Sequence, residues 1–190
     1  IYAPLAHRLG MGSVKWELED LAFRYLEPEA FQDIKSKVAE KRAVREAYLQ
    51  NFIQLLKDML SQSKIHAEVY GRAKHFYSIY RKMKTQSISF EVLYDLLAVR
   101  VIVDTVKDCY EVLGIVHAHW KPIQHKFADH IAMPKSNMYQ SLHTGVIGPN
   151  GRPVEIQIRT QEMHKIAELG VAAHWMYKEK RQGARPIHKD

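Results

Sequence analysis

Three short segments of the sequence concentrate side chains that could bind phosphate, metal and a nucleotide base. The first is basic: Arg72 and Lys74 precede a predicted helix that carries Ser78 and Lys82. Cations at a helix entrance lie where free backbone N–H groups and the helix dipole also attract anions. Ser78 and Lys82 are four residues apart and share one helix face. The pattern is typical either of a phosphate site or of a solvated basic face.

The second segment pair is acidic. Asp95 lies just before the apolar stretch 98–103, and Glu155 lies on the polar side of the alternating stretch 154–159. Both stretches are predicted strands. Carboxylates at the ends of neighbouring strands commonly hold Mg²⁺, which takes oxygen ligands and bridges phosphates. A solvent-facing polar edge is the alternative, so a metal site here is a hypothesis.

The third segment is a polar loop over 134–144 that leads into a predicted strand. It combines a cation, an amide, an aromatic ring and an imidazole in Lys135, Asn137, Tyr139 and His143. Tyr139 could stack on a purine and Asn137 could read its edge, as in other base-binding pockets. The alternative is an ordinary polar loop whose ring side chains pack at the rim of the core.

The elements that must position these residues change character near residue 64. Before it, apolar residues recur at helical spacing. One helix face comprises Leu18, Leu21, Ala22, Tyr25 and Leu26, and a longer apolar stripe covers 44–60. Between them, Pro28 is predicted to start a new helix. After it, strands are predicted near 65–69, 98–103, 142–147 and 154–159, the last two joined by a hairpin at Asn150-Gly151.

Helices interleave with these strands. The pair Thr105 and Asp108 predicts a capping box for a helix through His117, and a last helix is predicted from Gln161 to about Lys180. Helices and strands in this order, with one hairpin, predict an α+β fold with a mixed sheet flanked by helices and preceded by a helical segment.

Composition narrows the partners and the compartment. The net charge of +7 favours anionic partners such as nucleotides or nucleic acid. The single cysteine, Cys109, excludes an internal disulfide and fits a reducing compartment, so we expect a cytoplasmic protein. No apolar run approaches the roughly 18 residues of a membrane helix, so no membrane partner is expected. The sequence begins with Ile1 inside a predicted helix, which indicates a fragment.

Together these segments resemble the synthetase domain of the RelA/SpoT family, which makes the alarmone (p)ppGpp. The matching segments are GRAKHFYSIYRKM (71–83), YDLLAVRVIV (94–103), DCYEVLGIVHAHWKPI (108–123), PKSNMYQSLHT (134–144) and VEIQIRTQEMHKIAELGVAAHW (154–175). Residues 1–26 resemble the linker between the hydrolase and synthetase domains of long family members. We expect a fragment of a long, bifunctional-type member.

The resemblance implies a nucleotidyltransferase-like fold and a division into a helical linker (1–64), a (p)ppGpp synthetase domain (65–181) and a polar tail (182–190). It implies transfer of pyrophosphate from ATP to the 3′ hydroxyl of GDP or GTP, with Mg²⁺ as cofactor and release of AMP. Ribosome association in the family depends on regions outside this sequence.

The resemblance also implies residue roles. Arg72 and Arg100 are expected to hold the ATP adenine between their guanidinium planes. The expected ATP-phosphate residues are Lys74, Ser78 and Lys82. Asp95 and Glu155 are expected to carry Mg²⁺, with Glu155 also the candidate base. Tyr139 is expected to stack on guanine, and the rest of the GDP/GTP pocket is expected to comprise Lys126, Lys135, Asn137, His143 and Gln157.

Two departures from the family pattern keep an alternative open. Between the Trp-Lys-Pro segment and the next Ile-Ala, bifunctional members show Arg-x-Lys-Asp and synthetase-only members Glu-x-Asp-Asp. This chain has Lys126-Phe-Ala128-Asp129 followed by His130, so Ala128 loses a charge. Met138 replaces a small residue, usually glycine, beside the stacking tyrosine. A catalytically weak, guanine-nucleotide-binding regulatory domain is therefore the alternative function, and an RNA-binding basic module is a third.

Overall fold

The computed structural model describes residues 1–40, 42–72, 74–90 and 97–170. Four helices come first: α1 (Tyr2–Arg8), α2 (Gly12–Leu26), α3 (Pro28–Glu40) and α4 (Arg42–Gln62). The remaining described elements are, in chain order, β1 (Ala67–Gly71), α5 (Phe76–Gln86), β2 (Leu97–Val103), α6 (Val106–His119), β3 (Ala128–Asp129), β4 (Leu142–Ile147), a 3-10 turn (Pro149–Gly151), β5 (Pro153–Thr160) and α7 (Gln161–Leu169). The predicted α+β class is confirmed.

The five strands form one mixed sheet in the order β1-β2-β5-β4-β3. The central pair, β2 and β5, is parallel, and the other three pairs are antiparallel. Every residue of β2 is buried, which agrees with its β-branched composition. The register sets Arg100 beside Gln157 and Gln157 beside His143, so these three side chains lie on the same face of the sheet.

The two faces of the sheet have opposite chemistry. On one face, alternate residues of β2 and β5 such as Val99 and Ile156 pack into an apolar core with Phe52 and Leu56 of α4 and Val112 of α6. On the other face, β2 contributes Arg100 and β5 contributes Glu155, Gln157 and Arg159. The helical segment before the sheet therefore contributes α4 to the main core, while the polar face is left for other elements to cover.

Two local predictions are confirmed in detail. Thr105 Oγ1 accepts a hydrogen bond from the Asp108 N–H (3.1 Å), and Asp108 Oδ2 accepts one from the Thr105 N–H (3.0 Å), which is a complete capping box. The β4–β5 hairpin turns at Asn150 and Gly151, whose φ angles are 57° and 73°. Asn and Gly tolerate this left-handed region, so the turn is encoded locally.

Other predictions need correction. The expected apolar face of α2 is not buried: Tyr25 and Leu26 are each 80% exposed, and Phe23 is the residue that α2 buries. Helical periodicity identifies an apolar stripe but not whether a neighbour covers it. β1 begins at Ala67, two residues after the alternation begins, although Ile65 is buried. The last helix ends at Leu169, because Gly170 takes φ 78°; residues 171–180 lie outside the described part.

A second apolar cluster holds α5 against α2 and α3. Phe23 and Phe31 pack with Ile34, Ile79 and Phe90. Phe23 also stacks on Tyr80 of α5, with ring centroids 4.5 Å apart. This cluster fixes the orientation of α5, which carries Ser78 and Lys82. No helix in the described ranges is long and apolar enough to cross a bilayer.

The start of α2 lies directly on α7. Ser13 Oγ donates to the Glu168 carbonyl oxygen (2.8 Å), and a Cβ added at Gly12 would clash with the Ala167 carbonyl oxygen. At Gly170, an added Cβ would likewise clash with the Leu9 carbonyl oxygen. Glycine at these positions therefore allows two backbone segments to approach each other closely.

We expect Gly12→Ala to destabilise the protein by about 1–3 kcal/mol, because the added methyl group must displace backbone of α7. Gly114→Ala is the matched control, since Gly114 lies within α6 with open space around its Cα. That change is expected to stabilise by roughly 0.5–1 kcal/mol through helix propensity. Thermal unfolding of both variants measures the difference. An unchanged Tm for Gly12→Ala would contradict the close packing of α2 on α7.

Candidate functional site

The polar face of the central strands forms the floor of the site. Arg100, Gln157 and Arg159 project from it and are only 7%, 4% and 1% exposed. Glu168 of α7 places one carboxylate oxygen 3.1 Å from Arg100 Nη1 and 3.1 Å from Arg159 Nη2. One carboxylate thus balances two buried guanidinium groups. The excess positive charge, held in a poorly solvated place, favours an anionic ligand.

His164 completes this group as a neutral acceptor. Arg159 Nη2 lies 2.6 Å from His164 Nδ1. Because a guanidinium has no acceptor atom, it donates to an unprotonated imidazole nitrogen. Burial, and then the charges of Arg159 and Arg100, lower the pKa of His164 and keep that nitrogen free to accept.

Arg72 follows β1 at the edge of this floor. Its N–H donates to the Ala98 carbonyl oxygen (2.8 Å), which continues the β1–β2 pairing. Its guanidinium carbon lies 5.2 Å from the centroid of the Trp16 ring, a cation–π distance. Burial, and then the charge of Arg100, lower the pKa of Arg72, so the two guanidinium groups are electrostatically coupled. Arg100 in turn lies 5.9 Å from the Tyr70 ring centroid.

Two adjoining cavities share Arg72, Arg100 and Trp16. The larger, about 620 Å³, is also lined by Tyr70, His75, Asp20 and Glu168 among others. The smaller, about 290 Å³, is also lined by Lys15, Lys135, Asn137, Tyr139, His143, Gln157 and Arg159 among others. Among the described residues, no carboxylate lines the smaller cavity, whereas five lysines and arginines do. It has the charge of an anion-binding pocket.

The smaller cavity brings together five of the six residues expected to bind GDP or GTP. These residues come from the loop 134–141, β4 and β5 and are Lys135, Asn137, Tyr139, His143 and Gln157. The Tyr139 hydroxyl and His143 Nε2 are 2.8 Å apart. Burial lowers the pKa of His143 to about 3, helped by the charges of His130 and Lys135. His143 is therefore neutral at physiological pH.

Asn137 and Met138 in the loop 134–141 have contacts and a backbone conformation that the sequence did not predict. The Asn137 side-chain amide donates to the His7 carbonyl oxygen of α1 (3.1 Å), and its oxygen accepts from the Tyr139 N–H (3.3 Å). Both polar groups of Asn137 are therefore engaged within the protein. Met138 takes φ 63°, the left-handed region in which a residue with a side chain is uncommon. The backbone here thus suits the glycine that the family usually has.

A separate group of charges surrounds Glu155. Glu155 lies beside Ala98 and Gly145 in the sheet register. Burial lowers the pKa of Lys74 to about 7; the Glu155 charge opposes this shift, whereas the charges of Lys82, Arg45 and Lys126 add to it. Lys126 is the one predicted acceptor residue that does not line the smaller cavity. It belongs electrostatically with Lys74 and Lys82.

Of the two carboxylates expected to bind Mg²⁺, one lies within the described residues. Glu155 is on the polar face, but Asp95 lies outside the described residues. Within the described ranges, no group of three or more His, Cys, Asp or Glu residues could hold a metal ion. Mg²⁺ often binds through one or two carboxylates and the phosphates of a substrate, so a single described carboxylate is compatible with it. Asp129 is committed elsewhere, accepting from the Ile131 N–H, the Ala132 N–H and the Tyr110 hydroxyl.

Two N–H groups in the first turn of α5 are bonded to a side chain of α2. Asp20 of α2 accepts from the Tyr77 N–H (2.8 Å) and the Phe76 N–H (3.4 Å). Burial raises the pKa of Asp20, but hydrogen bonds from His75 and from these backbone groups outweigh it and the net pKa is lowered. These two N–H groups are therefore bonded to a carboxylate of the protein itself, and the phosphate-binding roles of Lys74, Ser78 and Lys82 stay predictions. Ser78 is half-buried and Lys82 exposed one turn apart along α5.

Sequence reasoning did not assign four residues that shape the site: Trp16, Asp20, Arg159 and Glu168. Arg159 had a signal, since it follows Glu155 and Gln157 on the same side of the β5 alternation. The two α2 residues had none, because their partners lie 55 or more residues away along the chain. Glu168 had none for its pairing with Arg100, which is 68 residues away.

Comparison with known proteins places this geometry in context. Residues 71–182 match the region found in RelA / SpoT proteins. The chain is 54% identical to a GTP pyrophosphokinase of Streptomyces coelicolor and 52% identical to one of Escherichia coli, in both cases over 100% of this chain. It spans only 23% and 26% of those relatives' lengths.

The fold matches solved structures over most of the chain. The crystal structure of the small alarmone synthetase 2 from Bacillus subtilis is 26% identical and aligns with a TM-score of 0.55, covering 82% of this chain and 85% of that one. The nucleotidyltransferase-like fold expected from the sequence is therefore confirmed.

We expect pyrophosphate binding near Glu155 to be coupled to protonation of Lys74. At pH 8 and without a bound anion, the Lys74 amine, with a pKa of about 7, is mostly neutral. A bound anion stabilises the ammonium and raises this pKa, so binding at pH 8 takes up nearly one proton; at pH 6 the amine is already charged and its uptake disappears. Calorimetry in buffers of different ionisation enthalpy measures this difference.

Lys74→Arg is the control for this measurement, because arginine keeps the cation but does not titrate in this range. The difference between the wild type and this variant isolates the contribution of Lys74 from that of pyrophosphate itself. Equal proton uptake in the two proteins at pH 8 would contradict a neutral Lys74 in the free site.

Proposed function

The chain belongs to the RelA/SpoT family, as the match over residues 71–182 shows, and on that premise we propose that it makes (p)ppGpp, transferring pyrophosphate from ATP to the 3′ hydroxyl of GDP or GTP. The observation that carries this proposal is the pair of adjoining cavities that share Arg72 and Arg100. A transfer between two nucleotides requires two neighbouring pockets with cations at their junction. The GTP pyrophosphokinase names of the longer relatives support the same reaction.

The larger cavity is proposed to receive the donor, ATP. Two guanidinium planes can hold a purine by stacking, and both Arg72 and Arg100 line this cavity. Lys74, Ser78 and Lys82 are proposed to take the ATP phosphates. The depressed pKa of Lys74 fits this role, since the amine gains its proton when phosphate charge arrives.

The smaller cavity is proposed to receive the acceptor, GDP or GTP. Tyr139 stacks on guanine, with Lys135 already 5.3 Å from the centroid of its ring. His143 and Gln157 line the pocket and offer neutral hydrogen-bonding groups. Asn137 reaches guanine only after leaving the His7 carbonyl, so acceptor binding is coupled to α1. Lys126, which lies in the group of charges around Glu155, is proposed to add positive charge near the acceptor's phosphates.

Glu155 is proposed to act as the general base. The acceptor's 3′ oxygen attacks the β-phosphorus of ATP, its proton passes to the Glu155 carboxylate, and the bond from the β-phosphorus to the oxygen bridging it to the α-phosphorus breaks, releasing AMP. The surrounding lysines bind the phosphates and compensate their charge. Asp95 and Glu155 are proposed to hold Mg²⁺, which when bound neutralises phosphate charge.

The remaining assignments follow from this reaction. We propose a cytoplasmic enzyme, in keeping with the unpaired, buried Cys109, whose pKa burial raises to about 12. Ribosome association, where it occurs, depends on parts of the longer protein. The division at residues 64 and 181 stays a prediction. Binding of RNA stays a third candidate that rests on the net charge of +7.

A catalytically weak, guanine-nucleotide-binding regulatory domain is the second candidate. Two features favour it: Ala128 supplies no charge beside Asp129, whose carboxylate is already occupied, and Met138 adopts a left-handed backbone next to the stacking tyrosine. Incubation with ATP, Mg²⁺ and either GDP or GTP, with products resolved by anion exchange, separates the candidates. AMP with ppGpp or pppGpp supports the enzyme. Nucleotide binding without AMP supports the regulatory domain, and ADP would overturn the reaction class.

Glu155→Gln is expected to lower kcat by about a hundredfold or more while the protein remains folded, because the amide can neither take the hydroxyl proton nor hold Mg²⁺ as a carboxylate does. Asp95→Asn is expected to have a similar effect. Glu162→Gln is the matched control: its carboxylate is exposed on α7 and lies outside both cavities. Near-normal turnover in either site variant, with Tm unchanged, would remove that residue from the proposed chemistry.

Tyr139 offers a test of the acceptor pocket alone. Tyr139→Leu is expected to raise KM for GDP or GTP by about tenfold, because base stacking on an aromatic ring contributes roughly 1–3 kcal/mol. Tyr139→Phe keeps the ring, loses only the contact with His143 and is expected to stay within about threefold of the wild type. KM for ATP serves as the internal control. An equal rise for both nucleotides would argue against a stacking role.

A further inference from the structure

The two arginines shared by the cavities are held in different ways. Arg100 is ion-paired to Glu168 at 3.1 Å. Arg72 makes no ion pair with any of the described residues, whereas the Nε atoms of both arginines are buried without a hydrogen-bond partner among them. The defined neighbour of Arg72 is the Trp16 ring, 5.2 Å from the guanidinium carbon. The orientation of Arg72 therefore depends on an aromatic face rather than on a carboxylate.

Trp16 is itself firmly placed. Its ring stacks on His75, with centroids 4.7 Å apart and planes inclined by 21°. One turn further along α2, Asp20 accepts from the Tyr77 N–H and lies 3.7 Å from His75 Nδ1. At the other end of this helix face, Gly12 lies against the Ala167 carbonyl. The indole is thus supported from α5 and α7, so it presents a fixed surface to Arg72.

An aromatic clamp suits a guanidinium that must itself stack on a ligand. A carboxylate partner would take two of the N–H donors and pull the group into its own plane. A ring instead contacts the flat face and leaves the donors at the edge unused. Trp16 also lines both cavities, and it lies outside the region that matches the family.

We propose that Trp16 is a positioning residue for the donor nucleotide: it holds the Arg72 guanidinium in the orientation that stacks on the purine of ATP. This inference rests on the proposed function for the identity of the purine. It assigns to α2 a direct part in the donor site, acting through Arg72 rather than on the reacting atoms.

The test is equilibrium binding of an ATP analogue with a methylene bridge between its α- and β-phosphates, which cannot be turned over. Trp16→Leu is expected to weaken its binding by about tenfold, and Trp16→Phe, which keeps an aromatic face, by no more than about threefold. GDP binding is expected to weaken by less than binding of the ATP analogue in both variants, since Trp16 also lines the smaller cavity. Tyr25→Leu, which removes an exposed aromatic from the same helix, controls for general effects on α2.

A second measurement avoids any change of shape. Tryptophan analogues with increasing ring fluorination, incorporated at position 16 alone, weaken the electrostatic attraction of the ring face for a cation in steps. The affinity for the ATP analogue is expected to fall in the same steps, while Tm stays constant. An affinity that does not follow fluorination would overturn the positioning role.

Other outcomes also decide the matter. Tighter binding of the analogue by Trp16→Leu would mean that the indole competes with the purine for Arg72, and the proposal would be wrong. Equal losses for the ATP analogue and GDP would reduce Trp16 to a support of the fold. The AMP assay on the wild type is independent: if no AMP forms but analogue binding depends on Trp16, the proposed reaction fails and the positioning role stands.

Discussion

The structure depends on burying two guanidinium groups on one face of the central parallel strand pair. Arg100 and Arg159 project from β2 and β5, and the Glu168 carboxylate compensates both. Leaving buried charge without a partner is far more costly than keeping the pair, so α7 must lie where Glu168 reaches the strands. The position of α7 is in turn set by close backbone contact with the segment around Gly12. The polar face of the sheet therefore depends on the helices that precede the sheet for the position of its charge partner.

The excess of cations on that face explains the protonation states around it. Three arginines and Lys135 surround His143 and His164, and burial removes the water that would stabilise an imidazolium. Both histidines are therefore neutral hydrogen-bonding groups. The same reasoning applies to Lys74, whose burial among other cations lowers its pKa to about 7. The negative charge of a phosphate ligand raises the pKa of Lys74 again. The site without a ligand therefore carries an excess of positive charge that a bound anion compensates.

Local patterns in the sequence were sufficient for most of the sheet and for part of the site. Alternation over 154–159 identified the polar side of β5, and the Thr105 and Asn150-Gly151 signals fixed a helix start and a turn, because each depends on neighbouring residues only. The convergence of loop 134–144 on Gln157 could be expected only from the family resemblance. The burial of α2 could not be read from periodicity, since an apolar stripe does not reveal which face meets a neighbour. Asp95 lies outside the described residues and stays a prediction.

One face of α2 shows why a helical segment beyond the matched region belongs to the site. Gly12, Trp16 and Asp20 follow one another at intervals of four, so they lie along the same side of the helix. The first contacts α7, which carries the partner of Arg100; the second contacts Arg72; the third caps α5, which carries Ser78 and Lys82. A small displacement of α2 along its axis would alter all three contacts together. Because both arginines are shared by the two cavities, such a displacement would affect both, and the geometry of the site cannot be independent of the segment that precedes it.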